Sequence, residues 1–231
     1  MSQNKSDSAQ KTDEIKRSLM QKEFELSSSL LPVLTLEEES EGCQLAEILL
    51  RNGLNSMEIT FRTDYAAKGI AKVLREFPDF VVGAGTILTI DHFELALEAG
   101  ASFLVSPGIS ADILEQARNN DTPYIPGAAT PTEIQQLVSI GYKTIKIFPA
   151  EAIGGPQYLR QISTIFSSTV FLPSGGIDDT TARNYLRLRN VSAIAGSWFV
   201  VRNNKGYLDL GRTETTIRKS IENLDSATSK G

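Results

Sequence analysis

The feature that most narrows the possible folds is a repeat. Short apolar runs begin near Leu31, Asn55, Phe80, Ser102, Tyr124, Lys143, Thr169 and Val191, and each is followed by an amphipathic stretch with helical spacing. The interval is roughly 20–26 residues, the length of one strand, one helix and short loops. Strand–helix units in series give parallel strands joined by right-handed crossovers. Eight of them close an α/β (β/α)8 barrel, the TIM-barrel architecture. An open doubly wound sheet is the alternative, but no G-x-G-x-x-G fingerprint follows the first run.

Helix boundaries support the division. Thr130-Pro131-Thr132-Glu133 has capping-box spacing with proline at the first helical position. Thr89 is expected to open the helix that ends before Gly100, and Asp178-Asp179 the one running through Leu188. Ahead of the barrel, residues 1–12 read as a disordered tail. Residues 13–26 read as an extra helix, with Ile15, Leu19, Met20 and Phe24 at helical spacing. Residues 13–231 are expected to form one barrel domain that ends in a loop after about Val200 and a C-terminal helix through Ile217, Ile221 and Leu224.

Composition removes several classes of function. A net charge of −5, with no basic run, argues against a nucleic-acid surface. No apolar run is long enough to span a membrane, and the N-terminus lacks the apolar core of a signal peptide. The lone cysteine, Cys43, leaves no internal disulfide, which suits a reducing cytoplasm; within its helical pattern it reads as a buried, inert thiol. With His92 as the lone histidine, the chain cannot assemble a zinc site from three histidines or from paired cysteines and histidines, and no Asp/Glu cluster suggests another metal. A metal held by carboxylates stays open at this point, and these absences push any carbonyl chemistry toward an amine nucleophile. His92 falls in a helix's opening turn and reads as a solvated surface residue.

The chemistry collects around Lys143-Thr144-Ile145-Lys146-Ile147-Phe148-Pro149-Ala150-Glu151. As a strand, this stretch puts Thr144, Lys146 and Phe148 on one face and Ile145 and Ile147 on the other. If the isoleucines meet the helices, Lys146 points into the barrel. Burial disfavours the ammonium, and a free amine is a nucleophile toward carbonyls. A lysine that snorkels to solvent is the alternative. Strand two, Ser56 to Arg62, shows the same parity, with Glu58, Thr60 and Arg62 inward beside Lys146. An inward carboxylate near a buried amine is either a satisfied ion pair or a general acid/base beside a Schiff-base lysine.

Strand three ends in Gly83-Ala84-Gly85-Thr86, whose glycines allow close approach of a ligand to the backbone. Strands seven and eight end in Pro173-Ser174-Gly175-Gly176-Ile177 and Ala195-Gly196-Ser197-Trp198. Glycine turns there, leading into helices, occupy the usual phosphate position of such barrels; loops that merely turn tightly are the alternative.

Taken in order, Glu58-Ile59-Thr60-Phe61-Arg62-Thr63, Val82-Gly83-Ala84-Gly85-Thr86, Ser106-Pro107-Gly108, Ile125-Pro126-Gly127, Lys146-Ile147-Phe148-Pro149-Ala150-Glu151, Pro173-Ser174-Gly175-Gly176-Ile177 and Gly196-Ser197-Trp198 resemble the 2-keto-3-deoxy-6-phosphogluconate (KDPG) / 4-hydroxy-2-oxoglutarate aldolase family. The resemblance covers Leu30 to Trp198. It implies a metal-free, homotrimeric class I aldolase that cleaves a small 2-keto-3-deoxy sugar acid phosphate. Lys146 would be the Schiff-base lysine and Glu58 the proton-transferring carboxylate. Arg62 and Thr86 would hold the pyruvyl carboxylate, and Pro107 and Phe148 would shape the pocket. Ser174, Gly175, Gly176, Gly196 and Ser197 would take the phosphate. Two rivals are a 2-keto-3-deoxy-6-phosphogalactonate aldolase and a non-catalytic sugar-phosphate-binding barrel.

Overall fold

The structure, a computed structural model, describes Leu26 and residues 28–228. The tail expected over 1–12 and nearly all of the helix expected over 13–26 lie outside the described residues.

Nine short strands alternate with eight helices among the described residues. Strands β1 (Leu30–Leu34), β2 (Ser56–Thr60), β3 (Val81–Gly85), β4 (Phe103–Val105) and β5 (Tyr124–Ile125) come first. They are followed by β6 (Gly127–Ala128), β7 (Thr144–Ile147), β8 (Val170–Pro173) and β9 (Ile194–Gly196). The helices are α1 (Ser40–Arg51), α2 (Ala66–Glu76), α3 (Ile90–Glu98), α4 (Ala111–Asn119), α5 (Pro131–Ser139), α6 (Gly155–Ile165), α7 (Ala182–Leu186) and α8 (Leu210–Thr228). Strands β5 and β6 are two halves of the fifth barrel position. Pro126 lacks an N–H and breaks the ladder between them, while its carbonyl still accepts from the Lys146 N–H at 2.9 Å.

Every pairing between named strands is parallel. One run is ordered β5-β4-β3-β2-β1-β9 and the other β6-β7-β8. Two isolated parallel bridges, Phe171↔Val191 and Ser174↔Ala195, join β8 to the approach and end of β9 and close the ring. The expected (β/α)8 barrel is therefore the fold.

Strand parity sorts the apolar residues into two cores. Leu31, Val33, Phe103, Val105, Ile125, Leu172, Ala193 and Ala195 fill the barrel interior. Their neighbours along the chain, including Leu30, Leu34, Leu104, Tyr124, Phe171 and Ile194, join Met57, Ile59, Ile145 and Ile147 under the helices. Parallel strands covered on both faces need this two-sided apolarity.

Local signals held at several places. Thr130 and Glu133 form the capping box of α5, and the Thr89 side chain accepts from the His92 N–H to cap α3. The helix expected from Asp178-Asp179 through Leu188 is a correction: α7 covers only Ala182–Leu186. Asp178 spends its carboxylate on the Thr180 and Thr181 N–H groups, at 2.8 and 3.1 Å, and this local turn displaces the first helical turn. The C-terminal helix α8 does bury Ile217 and Leu224 as expected. No described helix is long and apolar enough to cross a membrane.

The segment after β9 is tied back to the start of the barrel. Arg202 forks onto Glu41 in the first turn of α1, at 2.6 and 3.0 Å, and donates to the Thr35 carbonyl at 2.7 Å. Burial alone would push the Glu41 carboxyl up. The Arg202 guanidinium and the Glu37 N–H outweigh it and hold the group below the usual carboxylate range. Its folded pKa is depressed, so its contribution is present above the unfolded value and is lost as pH falls through the folded one. Arg202→Met should cost about 3 kcal/mol in urea unfolding at pH 7, the low end for breaking a buried pair. Arg202 is 26% exposed, which places it at that end. The gap to wild type should shrink on acidification below the usual carboxylate range; a gap independent of pH would remove the Glu41 charge from the account.

Candidate active site

The site begins with two charges on the inner face of the ring. On β7, Ile145 and Ile147 face the helices, so Lys146 enters the barrel; on β2, Met57 and Ile59 do the same for Glu58. Lys146 Nζ donates to Glu58 Oε1 at 3.5 Å, with the two side chains 7% and 1% exposed. Glu58 Oε2 has no hydrogen-bond partner among the described residues. Lys146 Nζ also lies 5.6 Å from the centroid of the Phe148 ring.

The glycines of β3 explain how a carboxylate fits there. Val82 and Ala84 face the helices, so Gly83 and Gly85 face the interior. A Cβ on Gly83 would lie 2.2 Å from the Phe103 ring, and one on Gly85 would lie 1.9 Å from Glu58 Oε1. These glycines were expected to admit a ligand. Instead they make room for the protein's own Phe103 ring and Glu58 carboxylate.

A cavity of about 240 Å³ lies on the other side of the Phe148 ring; neither Lys146 nor Glu58 lines it. Seven of the residues singled out from the sequence line it: Arg62, Phe148, Ser174, Gly175, Gly176, Gly196 and Ser197. Gly175 and Gly176 have φ of 96° and 80°, a conformation that favours glycine. The N–H groups of Gly176 and Ser197 donate no hydrogen bond within the described residues. Phe148 is the shared wall, with one contact to the Lys146 ammonium and another to the cavity.

Several expectations are corrected. Strand β2 ends at Thr60, so Arg62 is an exposed residue on the cavity wall rather than an inward strand residue. Thr86 and Pro107 do not line the cavity. Thr86 sits past the end of β3 with φ of 59°, uncommon for a β-branched residue, and Pro107 packs its backbone against Gly127. Neither glycine turn leads directly into a long helix: α7 has five residues, and α8 starts only at Leu210. His92 is half-buried rather than solvated. Its ring lies 5.4 Å from that of Phe61, and Nδ1 is 3.4 Å from the Thr86 carbonyl oxygen. Cys43 is half-buried, and burial with the nearby Glu76 pushes its thiol up to about 11, which makes it inert.

Sequence reasoning missed Val33 and Ile177 on the cavity wall. The parity of β1 could have identified Val33, but its all-apolar Leu30–Leu34 run hides which side faces in.

Residues 22–212 match the protein family described as KDPG and KHG aldolase. A 2-dehydro-3-deoxy-phosphogluconate aldolase of Treponema pallidum is 37% identical over 193 residues, covering 84% of this chain and 92% of that one. The KDPG aldolase of Zymomonas mobilis ZM4, solved with 3-phosphoglycerate, is 32% identical with a TM-score of 0.77, covering 89% and 94%. The KDPG aldolase of Legionella pneumophila, solved with pyruvate captured as a covalent carbinolamine, is 33% identical with a TM-score of 0.76, covering 87% and 94%. The fold and these matches make the protein a (β/α)8-barrel lyase. The chain belongs to the KDPG and KHG aldolase family.

Gly85→Ala should unseat the Glu58 carboxylate and cost about 2 kcal/mol in urea unfolding, as overpacking of a filled interior does. Wild-type stability in that variant would mean that Glu58 has somewhere else to go.

Proposed function

We propose that the protein is a class I aldolase that cleaves 2-keto-3-deoxy-6-phosphogluconate to pyruvate and glyceraldehyde 3-phosphate through a Schiff base on Lys146. The observation that carries this reading is the pair of Lys146 and Glu58, 3.5 Å apart inside the barrel and almost wholly buried. The carbinolamine captured in the Legionella relative supports it.

Lys146, as the free amine, attacks the C2 ketone. The carbinolamine loses water to a protonated imine, which accepts the electron pair of the C3–C4 bond as it breaks. Glu58 takes the C4 hydroxyl proton, directly or through a water, and the aldehyde leaves. The enamine is protonated at C3, and hydrolysis returns pyruvate and the free amine. Among the described residues Glu58 is the carboxylate paired with Lys146 Nζ, so it also serves the proton transfers at the carbinolamine. Arg62 offers a planar fork that fits the pyruvyl carboxylate. Phe148 shapes the pocket, and Ser174, Gly175, Gly176, Gly196 and Ser197 take the phosphate.

The KHG half of the family description supports 4-hydroxy-2-oxoglutarate as a second substrate, giving pyruvate and glyoxylate. Metal independence and a homotrimeric assembly belong to the same proposal, and the motif resemblance supports them; the lone Cys43 supports a cytoplasmic site of action.

Borohydride with pyruvate should add the mass of a reduced adduct to the wild type, and Lys146→Ala should abolish both this trapping and turnover; trapping at another lysine would overturn the assignment. Glu58→Gln should still trap while turnover falls about 10²-fold or more. Activity should also survive EDTA, and inhibition reversed by a divalent ion would reject the metal-free mechanism.

A further inference from the structure

The phosphate reading leaves one carboxylate unexplained. Asp179 follows the Gly175-Gly176 turn by three residues, yet it caps no helix and pairs with no cation among the described residues. Its Oδ1 accepts from the Trp198 indole Nε1–H at 3.0 Å and from the Ser220 hydroxyl on α8. Ser220 is itself buried and lies 3.3 Å from the same indole nitrogen. The indole held this way lies directly over Gly196, where a Cβ would come within 2.0 Å of the ring. Gly196 and Ser197 are one wall of the cavity, and Gly175 and Gly176 are the other. Asp179 therefore ties the two walls together: it extends from the first turn, and through one hydrogen bond it orients the ring against which the second turn is built.

The backbone joins the two turns only at their base. Strands β8 and β9 meet only through isolated bridges, the last of them Ser174↔Ala195, just below both turns. Beyond that bridge, the spacing of the turns depends on side chains.

We propose that Asp179 is a positioning residue for the phosphate arm of the substrate: through Trp198 it sets the spacing of the Gly175-Gly176 and Gly196-Ser197 turns, and so the preference for phosphorylated over unphosphorylated 2-keto-3-deoxy acids. The inference rests on the phosphate reading of the cavity. It assigns Asp179 no contact with substrate and no part in bond cleavage.

The test compares KM and kcat of the purified full-length chain on the 6-phosphorylated substrate and on its unphosphorylated counterpart. Asp179→Ala, which removes the acceptor, should raise KM for the phosphorylated substrate about tenfold, the size of one lost charge-assisted hydrogen bond. Its kcat, and both constants for the unphosphorylated acid, should stay within about twofold. Trp198→Phe keeps a ring over Gly196 but removes the donor, so it should give the same split even if the alanine variant folds poorly. Asp179→Asn retains an acceptor oxygen and should restore most of the preference. Trp198 is the only tryptophan, so its fluorescence should respond to inorganic phosphate in the wild type and lose that response in Asp179→Ala. A wild type with no preference for the phosphorylated acid would defeat the phosphate reading itself. A wild-type preference that survives in both variants, or equal losses on both substrates, would overturn the role given to Asp179.

Discussion

The rest of the site depends on a charged pair confined inside a closed ring of strands. At 3.5 Å and an effective dielectric of about 20, the attraction between Lys146 and Glu58 is about 5 kcal/mol. Removing each ion from water costs several kcal/mol, so the pair at best breaks even as a contribution to stability. The unpartnered Glu58 Oε2 makes the balance worse. A ring filled by Leu31, Val33, Phe103, Val105, Ile125 and Leu172 could have been apolar throughout. The interior accepts a costly pair where an apolar one would fit, which points to chemistry rather than to folding.

The pair also accounts for residues that contribute nothing themselves. Strand β3 places glycine at two inward positions, and its outward Val82 and Ala84 pack normally under the helices. The Phe103 ring occupies the space at Gly83 and the Glu58 carboxylate that at Gly85. Side chains from β4 and β2 therefore fill the volume that β3 leaves free. Interior packing and the placement of the Glu58 carboxylate are set by the same omission of side chains.

The barrel was legible in the sequence because it depends on periodicity. Run spacing gave the number of strands, and alternation gave the inward faces of β2 and β7, since both depend only on the local chain. What remained hidden depends on distant partners. The sequence showed glycines at Gly83 and Gly85 but not the side chains that fill their space, which come from other strands. Asp178-Asp179 looked like a helix start because either residue can cap; the structure divides them, one to a local turn and the other to the indole of Trp198. Arg62 was read one step too deep because the period-2 pattern continues past Thr60, where the strand itself ends. His92 lay too far from Phe61 in sequence for their contact to be inferred.

The cavity lies where it does because of how the ring closes. Around most of the barrel, regular ladders use the backbone N–H groups, as in the five-residue register of β2 with β3. Between β8 and β9 the ladder thins to isolated bridges, and past Ser174↔Ala195 the chain turns away on both sides. Among the described residues, backbone donors at Gly176 and Ser197 are left uncommitted there. Uncommitted N–H groups in a concave turn suit an anion and need no lysine or arginine. At the base of the two walls the strand pairing is an isolated bridge, Ser174↔Ala195, and above it side-chain bonds from Asp179, Trp198 and Ser220 link them. On the proposed reading, binding energy gathered at this seam would lie away from the reacting carbons and would hold a substrate in register with the Lys146 amine on β7.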